Sequence, residues 1–243
     1  MPNIDDMTSE IVRRTMTLFF LIDTSGSMRG EKIGAVNAAM EDTIPDLRKL
    51  VNADSKVNVA VLRFSTGAEW QSIRPVDVQE FEWNRLEAEG LTELGLACMM
   101  LNEKLSRKGF MDEINGCYAP AIILLSDGNP TDDYKTGLSL LQNNSWFKQA
   151  IKVALAVGKD VKKSILAEFT GSIDSVISIN NKSQLNKIVH FVSIRASQIA
   201  SRSSLIGEDN QLTSNIPAKQ IEFNKDILSI DLDSGDVDDD IIW

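Results

Sequence analysis

The chain has 243 residues, of which 43% are hydrophobic and 25% are charged. This composition is that of an ordinary globular protein, large enough to build a core without disulfides or structural metals. The formal net charge of -10 argues against a nucleic-acid-binding function, because such a surface needs clustered Lys and Arg.

The N-terminal segment, residues 1–14, is polar and shows no secretion signal. The apolar run that follows it, residues 16–22, is too short to span a bilayer. The two cysteines, Cys98 and Cys117, form no CxxC pair, and this predicts reduced thiols. We therefore expect a cytoplasmic protein that does not bind a membrane.

Apolar runs typical of buried strands alternate with segments of helical periodicity. The predicted strands cover residues 15–22, 56–64, 68–75, 121–125, 151–157 and 176–179. The predicted helices cover residues 31–50, 94–107, 161–169 and 183–200. A short turn joins the second and third strands, which makes the third an antiparallel edge strand, and Pro45 is expected to bend or split the first helix.

This order of elements predicts an α/β fold for residues 15–200. Repeated β-α units imply a doubly wound, mostly parallel sheet with helices on both faces, and the third strand adds one antiparallel edge. Ligands of such sheets bind at the carboxyl ends of the strands, where the strand order reverses. Motifs that directly follow strands are therefore the candidates for function.

The strongest motif follows the first predicted strand and reads Asp23-Thr24-Ser25-Gly26-Ser27. It places one carboxylate and two hydroxyls, those of Asp23, Ser25 and Ser27, at alternate positions of a tight turn that Gly26 allows. Oxygen groups of this kind suit a hard cation such as Mg²⁺ or Mn²⁺. A helix N-cap is the alternative interpretation, but a cap needs no further oxygen donors in other loops.

Two such donors, Thr92 and Asp127, occur in other loops. Thr92 precedes the helix predicted at 94–107, and Asp127 follows the strand predicted at 121–125, so we expect both to meet the Asp23 turn at one metal ion. Only two of the five groups are carboxylates, which leaves a dication attracted to an external Asp or Glu. That attraction exceeds an exposed salt bridge, which contributes only about 0–1 kcal/mol. We expect Asp132 and Asp133 to cap the short helix after them.

The DTSGS stretch, the later Thr92 and the SDG that contains Asp127 resemble the metal-ion-dependent adhesion site of von Willebrand factor A domains. The resemblance covers about residues 15–200 and implies a Rossmann-like, doubly wound sheet with one antiparallel edge strand. It also implies that Ser25, Ser27 and Thr92 contact the metal directly, whereas Asp23 and Asp127 act largely through waters. One position departs from the family, because the residue before the threonine is often Gly there and is Leu91 here.

Within this family, the stretches LFFLIDTSGSMRGEKI and LLSDGNPTDDY resemble the bacterial branch associated with tellurite and stress resistance, the TerY-like proteins. That branch implies an intracellular, non-catalytic adaptor that grips an acidic residue of a protein partner through Mg²⁺ or Mn²⁺. A protein kinase and a protein phosphatase are the partners it suggests.

Two other functions stay open. A metal-assisted hydrolase or phosphotransfer enzyme is disfavoured because the chain lacks GxxxxGK[ST], GxGxxG after a strand and GxSxG. An extracellular adhesin is disfavoured by the polar N-terminal segment and by the unpaired cysteines.

Residues 201–243 differ in character from the rest of the chain. The stretch 207–243 contains ten acidic and two basic residues, including six Asp from Asp231 to Asp240, and shows no helical period. We expect a mobile acidic tail. It could be a solvated linker, a docking segment anchored by Ile241, Ile242 and Trp243, or the source of an Asp that enters the metal site of its own or a neighbouring chain.

Overall fold

The computed structural model describes residues 14–50, 55–112, 117–159, 161–201 and 216–230. The strands are β1 (Arg14–Asp23), β2 (Ser55–Ser65), β3 (Gly67–Trp70), β4 (Val76–Asp77), β5 (Ala121–Ser126), β6 (Ile151–Val157) and β7 (Val176–Ile179). The helices are α1 (Glu31–Leu50), α2 (Leu94–Lys104), α3 (Tyr134–Asn143), α4 (Ser145–Gln149), α5 (Lys163–Thr170), α6 (Lys182–Ser201) and α7 (Ile216–Leu228). Short 3-10 turns lie at Gly26–Met28 and Ile173–Ser175.

All seven strands belong to one sheet in the order β3-β2-β1-β5-β6-β7, with β4 also paired to β2. The pairs β1–β2, β1–β5, β5–β6 and β6–β7 are parallel, whereas β3 and β4 run antiparallel to β2. The chain leaves β1 toward one edge of the sheet and returns to β5 on its other side, so the strand order reverses at β1. The predicted fold class is confirmed, and the carboxyl end of β1 lies at this reversal.

The central strand β1 is buried on both faces, which explains its continuous apolar sequence. Phe20 and Ile22 face a core that includes side chains of α1, α6 and α7. Phe19 and Leu21 face a second core that includes side chains of α2, α3, α4 and α5. The helices thus cover both faces of the sheet, and ligands of such sheets bind at the loops that follow the carboxyl ends of the strands.

A long connection, residues 78–93, links β4 to α2 without forming a helix or strand. The Asn37 side chain on α1 holds it through both amide atoms, since Nδ2 donates to the Leu86 carbonyl at 2.9 Å and Oδ1 accepts the Leu86 N–H at 2.8 Å. Arg48 donates to the carbonyls of Val78 and Phe81. These buried and half-buried bonds satisfy backbone groups that no sheet or helix satisfies, and they position the loop that carries Thr92.

One sequence expectation, the absence of helical structure after residue 201, is wrong, and of the two effects expected of Pro45, bending or splitting the first helix, the split does not occur. Helix α1 runs through Pro45 without a break, so the proline does not split it. The stretch after residue 201 contains helix α7, and its Phe223 and Ile227 are buried in the same core as β1 and α1. The sequence predicts no helix there because only a few apolar residues of α7 face the core. Charged residues of both signs and polar residues lie between them in the sequence. The boundary of the main domain at residue 200 stays a prediction.

In the part of the chain that the structure describes, none of the helices has the length and apolar character needed to cross a membrane.

Candidate metal centre

The Asp23 turn begins where β1 ends, at the carboxyl edge of the sheet. The buried Asp23 carboxylate accepts the Ser25 N–H through Oδ1 at 2.9 Å, and this bond closes the turn. The hydroxyl oxygens of Ser25 and Ser27 lie 3.0 Å apart. Ser25 precedes the Gly26–Met28 turn, but its side chain makes no capping hydrogen bond. Capping therefore does not explain why these oxygen groups are gathered here.

The loop that follows β5 lies against the same turn, because β5 is the parallel neighbour of β1. The Ser126 hydroxyl donates to Asp23 Oδ2 at 2.6 Å and accepts the Gly128 N–H at 2.9 Å. Asp127 is buried. Its Oδ2 lies 3.5 Å from Lys32 Nζ, while its Oδ1 has no hydrogen-bond partner.

The loop that carries Thr92 lies beside the Asp23 turn and is the third of the predicted ligand loops. The Gly26 N–H donates to the Gly90 carbonyl at 3.0 Å, and the Glu89 N–H donates to the Thr24 carbonyl at 2.7 Å. These bonds place the loop directly beside the Asp23 turn, with Thr92 buried. All five predicted residues therefore lie in three loops that touch one another. Their role as metal ligands stays a prediction.

Gly90 supplies the turn of this loop, one residue before the position where the family often has glycine. Its φ is 81°, and a Cβ there would lie 2.6 Å from Thr66 Oγ1. The next N–H, that of Leu91, donates to the same hydroxyl at 2.9 Å. The positive φ of this loop thus falls on Gly90, and the side chain of Leu91, the neighbour of Thr92 in the chain, is 54% exposed.

Two residues of the β5–α3 loop bind the Thr92 loop from the other side. Thr131 Oγ1 accepts the Thr92 N–H at 3.0 Å, and the Thr131 N–H donates to the Thr92 carbonyl at 2.8 Å. Asp132 accepts the N–H groups of Gly95 and Leu96, each at 3.1 Å, and so caps the start of α2. Asp132 and Thr131 thereby tie the loop of Asp127 to the loop of Thr92.

The expected role of Asp132 as a cap of the following helix is wrong, because it caps α2, which precedes it by 37 residues in the chain. Asp133 does lie at the start of α3, where its carboxylate accepts the Thr136 hydroxyl at 2.6 Å. This bond holds the pKa of Asp133 below its usual value. Sequence reasoning missed the contacts of Ser126, Lys32, Thr131 and Asp132 because each spans a long stretch of chain.

The electrostatics of the site favour a cation. Burial raises the pKa of Asp23, hydrogen bonds from Ser126 and Ser25 oppose that rise, and the neighbouring charge of Asp127 adds to it. Two carboxylates this close destabilise each other when both are ionised. In the described ranges, no cluster of three or more His, Cys, Asp or Glu side chains is placed to hold a metal. A metal here would depend on the hydroxyls, and hydroxyls with two carboxylates fit a hard dication.

The three tail residues predicted to bind a partner, Ile241, Ile242 and Trp243, lie outside the described residues. Their role stays a prediction.

Comparison with known proteins gives a consistent result. Residues 17–191 match the family model described as von Willebrand factor type A domain. Inter-alpha-trypsin inhibitor heavy chain H4 of Sus scrofa is 32% identical over 129 residues, which cover 52% of this chain and 14% of that protein. The chain thus corresponds to about one seventh of that curated relative.

Solved structures share the fold at low sequence identity. A von Willebrand factor type A protein from Catenulispora acidiphila is 17% identical, covers 75% of this chain and 43% of its own, and superposes with a TM-score of 0.57. Proximal thread matrix protein 1 from the mussel byssus, described with a zinc-occupied MIDAS motif, is 20% identical, with coverage of 76% and 46% and a TM-score of 0.53.

Proposed function

The chain belongs to the von Willebrand factor type A domain family, and from that premise we propose that it is a non-catalytic module that binds a protein partner through one Mg²⁺ or Mn²⁺ ion. Domains of this family are commonly metal-dependent interaction modules. The side chains that would hold the metal are those of Ser25, Ser27 and Thr92 directly, and of Asp23 and Asp127 largely through water. The metal would supply a Lewis-acidic site for a carboxylate of the partner.

One observation carries the proposal: the unpartnered Oδ1 of Asp127. Among the described residues, it is the one carboxylate oxygen that is both buried and without a hydrogen-bond partner. Burying a charged oxygen without a partner is unfavourable by several kcal/mol in order of magnitude. Both oxygens of the neighbouring Asp23 are satisfied. The unsatisfied atom therefore marks the place where a cation or its water would stabilise the protein.

The charge of the donor set supports a protein partner with an acidic residue. Two carboxylates can balance a dication, but the three hydroxyls add no negative charge. A metal held in this way keeps its attraction for a further anionic oxygen. Exposed Leu91 beside Thr92 offers an apolar contact to the residue next to that acid.

Catalysis has less support. The one histidine, His190, belongs to α6, and its Nε2 is 3.0 Å from Oδ2 of Asp46 on α1. It is therefore engaged away from the carboxyl edge. A two-metal hydrolytic site needs several carboxylates, and the described residues bring only Asp23 and Asp127 together here.

The finer part of the proposal is an adaptor inside the cell. It rests on the likeness of two stretches around the site, LFFLIDTSGSMRGEKI and LLSDGNPTDDY, to the TerY-like branch. In that role the chain would join a protein kinase and a protein phosphatase in a stress response of the tellurite type. An affinity-tagged chain should then retain kinase and phosphatase candidates in Mg²⁺ and release them in chelator. Retention that chelator leaves unchanged would place the partner on another face.

Calorimetry tests the metal site itself. The wild-type chain should bind Mg²⁺ or Mn²⁺ at one site, and Asp23→Ala, Ser25→Ala and Asp127→Asn should each weaken that binding, by about 100-fold for the carboxylates. Asp174→Asn is the matched control, because Asp174 is exposed on another 3-10 turn, and it should bind like wild type. Circular dichroism in chelator checks that each variant folds. A wild-type chain that binds neither ion would overturn the proposal.

A further inference from the structure

Lys32 places a positive charge inside the candidate metal centre. It is the second residue of α1, the helix that starts just after the Asp23 turn. Its Nζ lies 3.5 Å from Asp127 Oδ2, and its side chain is only 22% exposed. Solvent therefore screens this ion pair less than the pairs at the surface of the molecule.

The other cation of this turn differs from Lys32. Arg29 is exposed, and its Nε donates to the Ala88 carbonyl at 3.0 Å. Water screens an exposed charge of this kind. Of these two cations, Lys32 is thus the one that contacts a predicted metal ligand, Asp127.

We propose that Lys32 couples the two binding steps of the site: it weakens the binding of the metal alone and strengthens the binding of an acidic ligand to the metal-loaded site. The inference rests on the proposed function. It adds to that function a residue outside the predicted ligand set and a direction for its effect on each step.

The first half follows from competition for Asp127. The dication and the Lys32 ammonium are both attracted to the same buried carboxylate, and they repel each other when both are present. In a partly desolvated site, like charges a few ångströms apart lower each other's stability substantially. Removal of the ammonium charge should therefore tighten metal binding.

The second half follows from the charge of the loaded site. The carboxylates of Asp23 and Asp127 balance one dication, so the charge of Lys32 leaves the loaded site with a net charge of +1. An incoming carboxylate then brings the site to neutrality. Without Lys32 the loaded site would start neutral, and the same ligand would leave an unbalanced negative charge in a poorly solvated place, which is unfavourable. Lys32 thus lowers the affinity of the site for the metal and raises the affinity of the metal-loaded site for an acidic ligand.

The test uses calorimetric titration of the full chain with Mn²⁺, first in chloride and then in acetate at equal ionic strength, with acetate as the carboxylate probe. Lys32→Met removes the charge and keeps the length of the side chain. It should bind Mn²⁺ roughly tenfold more tightly than wild type in chloride. The gain in Mn²⁺ affinity that acetate gives to wild type should shrink in this variant.

Two controls separate charge from packing. Lys32→Arg keeps the charge and should behave like wild type in both salts. Lys49→Met removes an exposed, ion-paired lysine from the last turn of the same helix and should also behave like wild type. Lys32→Gln provides a second neutral variant if Lys32→Met fails to fold in chelator.

The possible failures can be told apart. If neither wild type nor the neutral variants bind Mn²⁺, the proposed function is wrong and this inference fails with it. If wild type binds Mn²⁺ and both neutral variants bind it equally well or more weakly, the inference alone is wrong, and Lys32 serves to orient Asp127. An acetate effect of the same size in all chains would also overturn the coupling.

Discussion

Polar networks close both ends of the sheet, and they differ in one respect. At the amino end of β6, the Gln220 side chain accepts the Lys152 N–H at 2.9 Å and donates to the Lys152 carbonyl at 3.0 Å. Ser175 and Asn224 complete that network, with a hydrogen bond of 3.1 Å between their side chains. At the carboxyl end of β1, Asp127 keeps one buried oxygen without a partner.

The difference separates a structural network from a candidate binding site. At the amino end, Gln220 on α7 satisfies backbone groups of β6 at a residue that precedes the β6–β7 pairing, so the helix completes the edge of the sheet. At the carboxyl end, one oxygen of the buried Asp127 carboxylate has no hydrogen-bond partner. Substitutions at the amino end should therefore change stability and leave metal affinity alone, whereas substitutions at the carboxyl end should change metal affinity, with at most a small loss of stability.

The largest effect is expected from Phe223→Ala. Phe223 is fully buried where α7 packs on the core, and loss of such a ring reduces the free energy of unfolding by about 3–5 kcal/mol. Urea denaturation in chelator measures this change. Ile221→Ala on the same helix is the control, since Ile221 is 54% exposed, and it should shift stability by less than about 0.5 kcal/mol.

A change of Mn²⁺ affinity in folded Phe223→Ala would contradict the separation between the two ends of the sheet. That outcome would mean that α7 and the carboxyl edge are energetically coupled. A stability equal to wild type would instead mean that α7 is not part of the cooperative unit.

The next effect is the pH dependence at Lys152. Burial lowers the pKa of Lys152 to about 8, below an unfolded value near 10.5. The unfolded chain then binds more protons between these values, so the stability should rise as the pH increases from 8 to 10.5. The contribution is about 3 kcal/mol at most, at roughly 1.4 kcal/mol for each pKa unit.

Urea midpoints at several pH values, compared between wild type and Lys152→Met, measure this contribution. The substitution should remove the rise, while Lys148→Met, at an exposed lysine in α4, should retain it. Parallel pH curves for wild type and Lys152→Met would show that Lys152 titrates like an exposed lysine. The hydrogen bonds from Nζ to the Phe147 and Ala150 carbonyls would then offset the burial.

The smallest effect is expected from Thr131→Val, which sharpens the comparison because it touches the carboxyl edge without removing a predicted ligand. It deletes the hydroxyl that accepts the Thr92 N–H and keeps the shape of the side chain. We expect about tenfold weaker Mn²⁺ binding and a loss of about 1 kcal/mol in stability. Unchanged Mn²⁺ affinity would mean that the β5–α3 loop does not help to position Thr92.

Local patterns predicted the framework well, and particular elements show why. Strand β6 was predicted at residues 151–157 and is found at Ile151–Val157, because a run of apolar, mostly β-branched and small residues buried on both faces leaves little choice of structure. The sequence does not predict helix α7, since its few buried residues are spread among charged and polar ones. A pattern of hydrophobicity reports burial only when the buried face dominates the composition.

By itself the sequence determined the family, the fold class and the order in which the oxygen donors appear. These depend on neighbouring residues, namely apolar strands and a turn of alternating carboxylate and hydroxyl groups. Only the tertiary structure decided that Ser126 bonds Asp23, that Asp132 caps α2 and that Lys32 faces Asp127. Each of those contacts joins residues far apart in the chain. They form because packing of the parallel strands β1 and β5, and of the helices around them, brings three loops to one edge of the sheet.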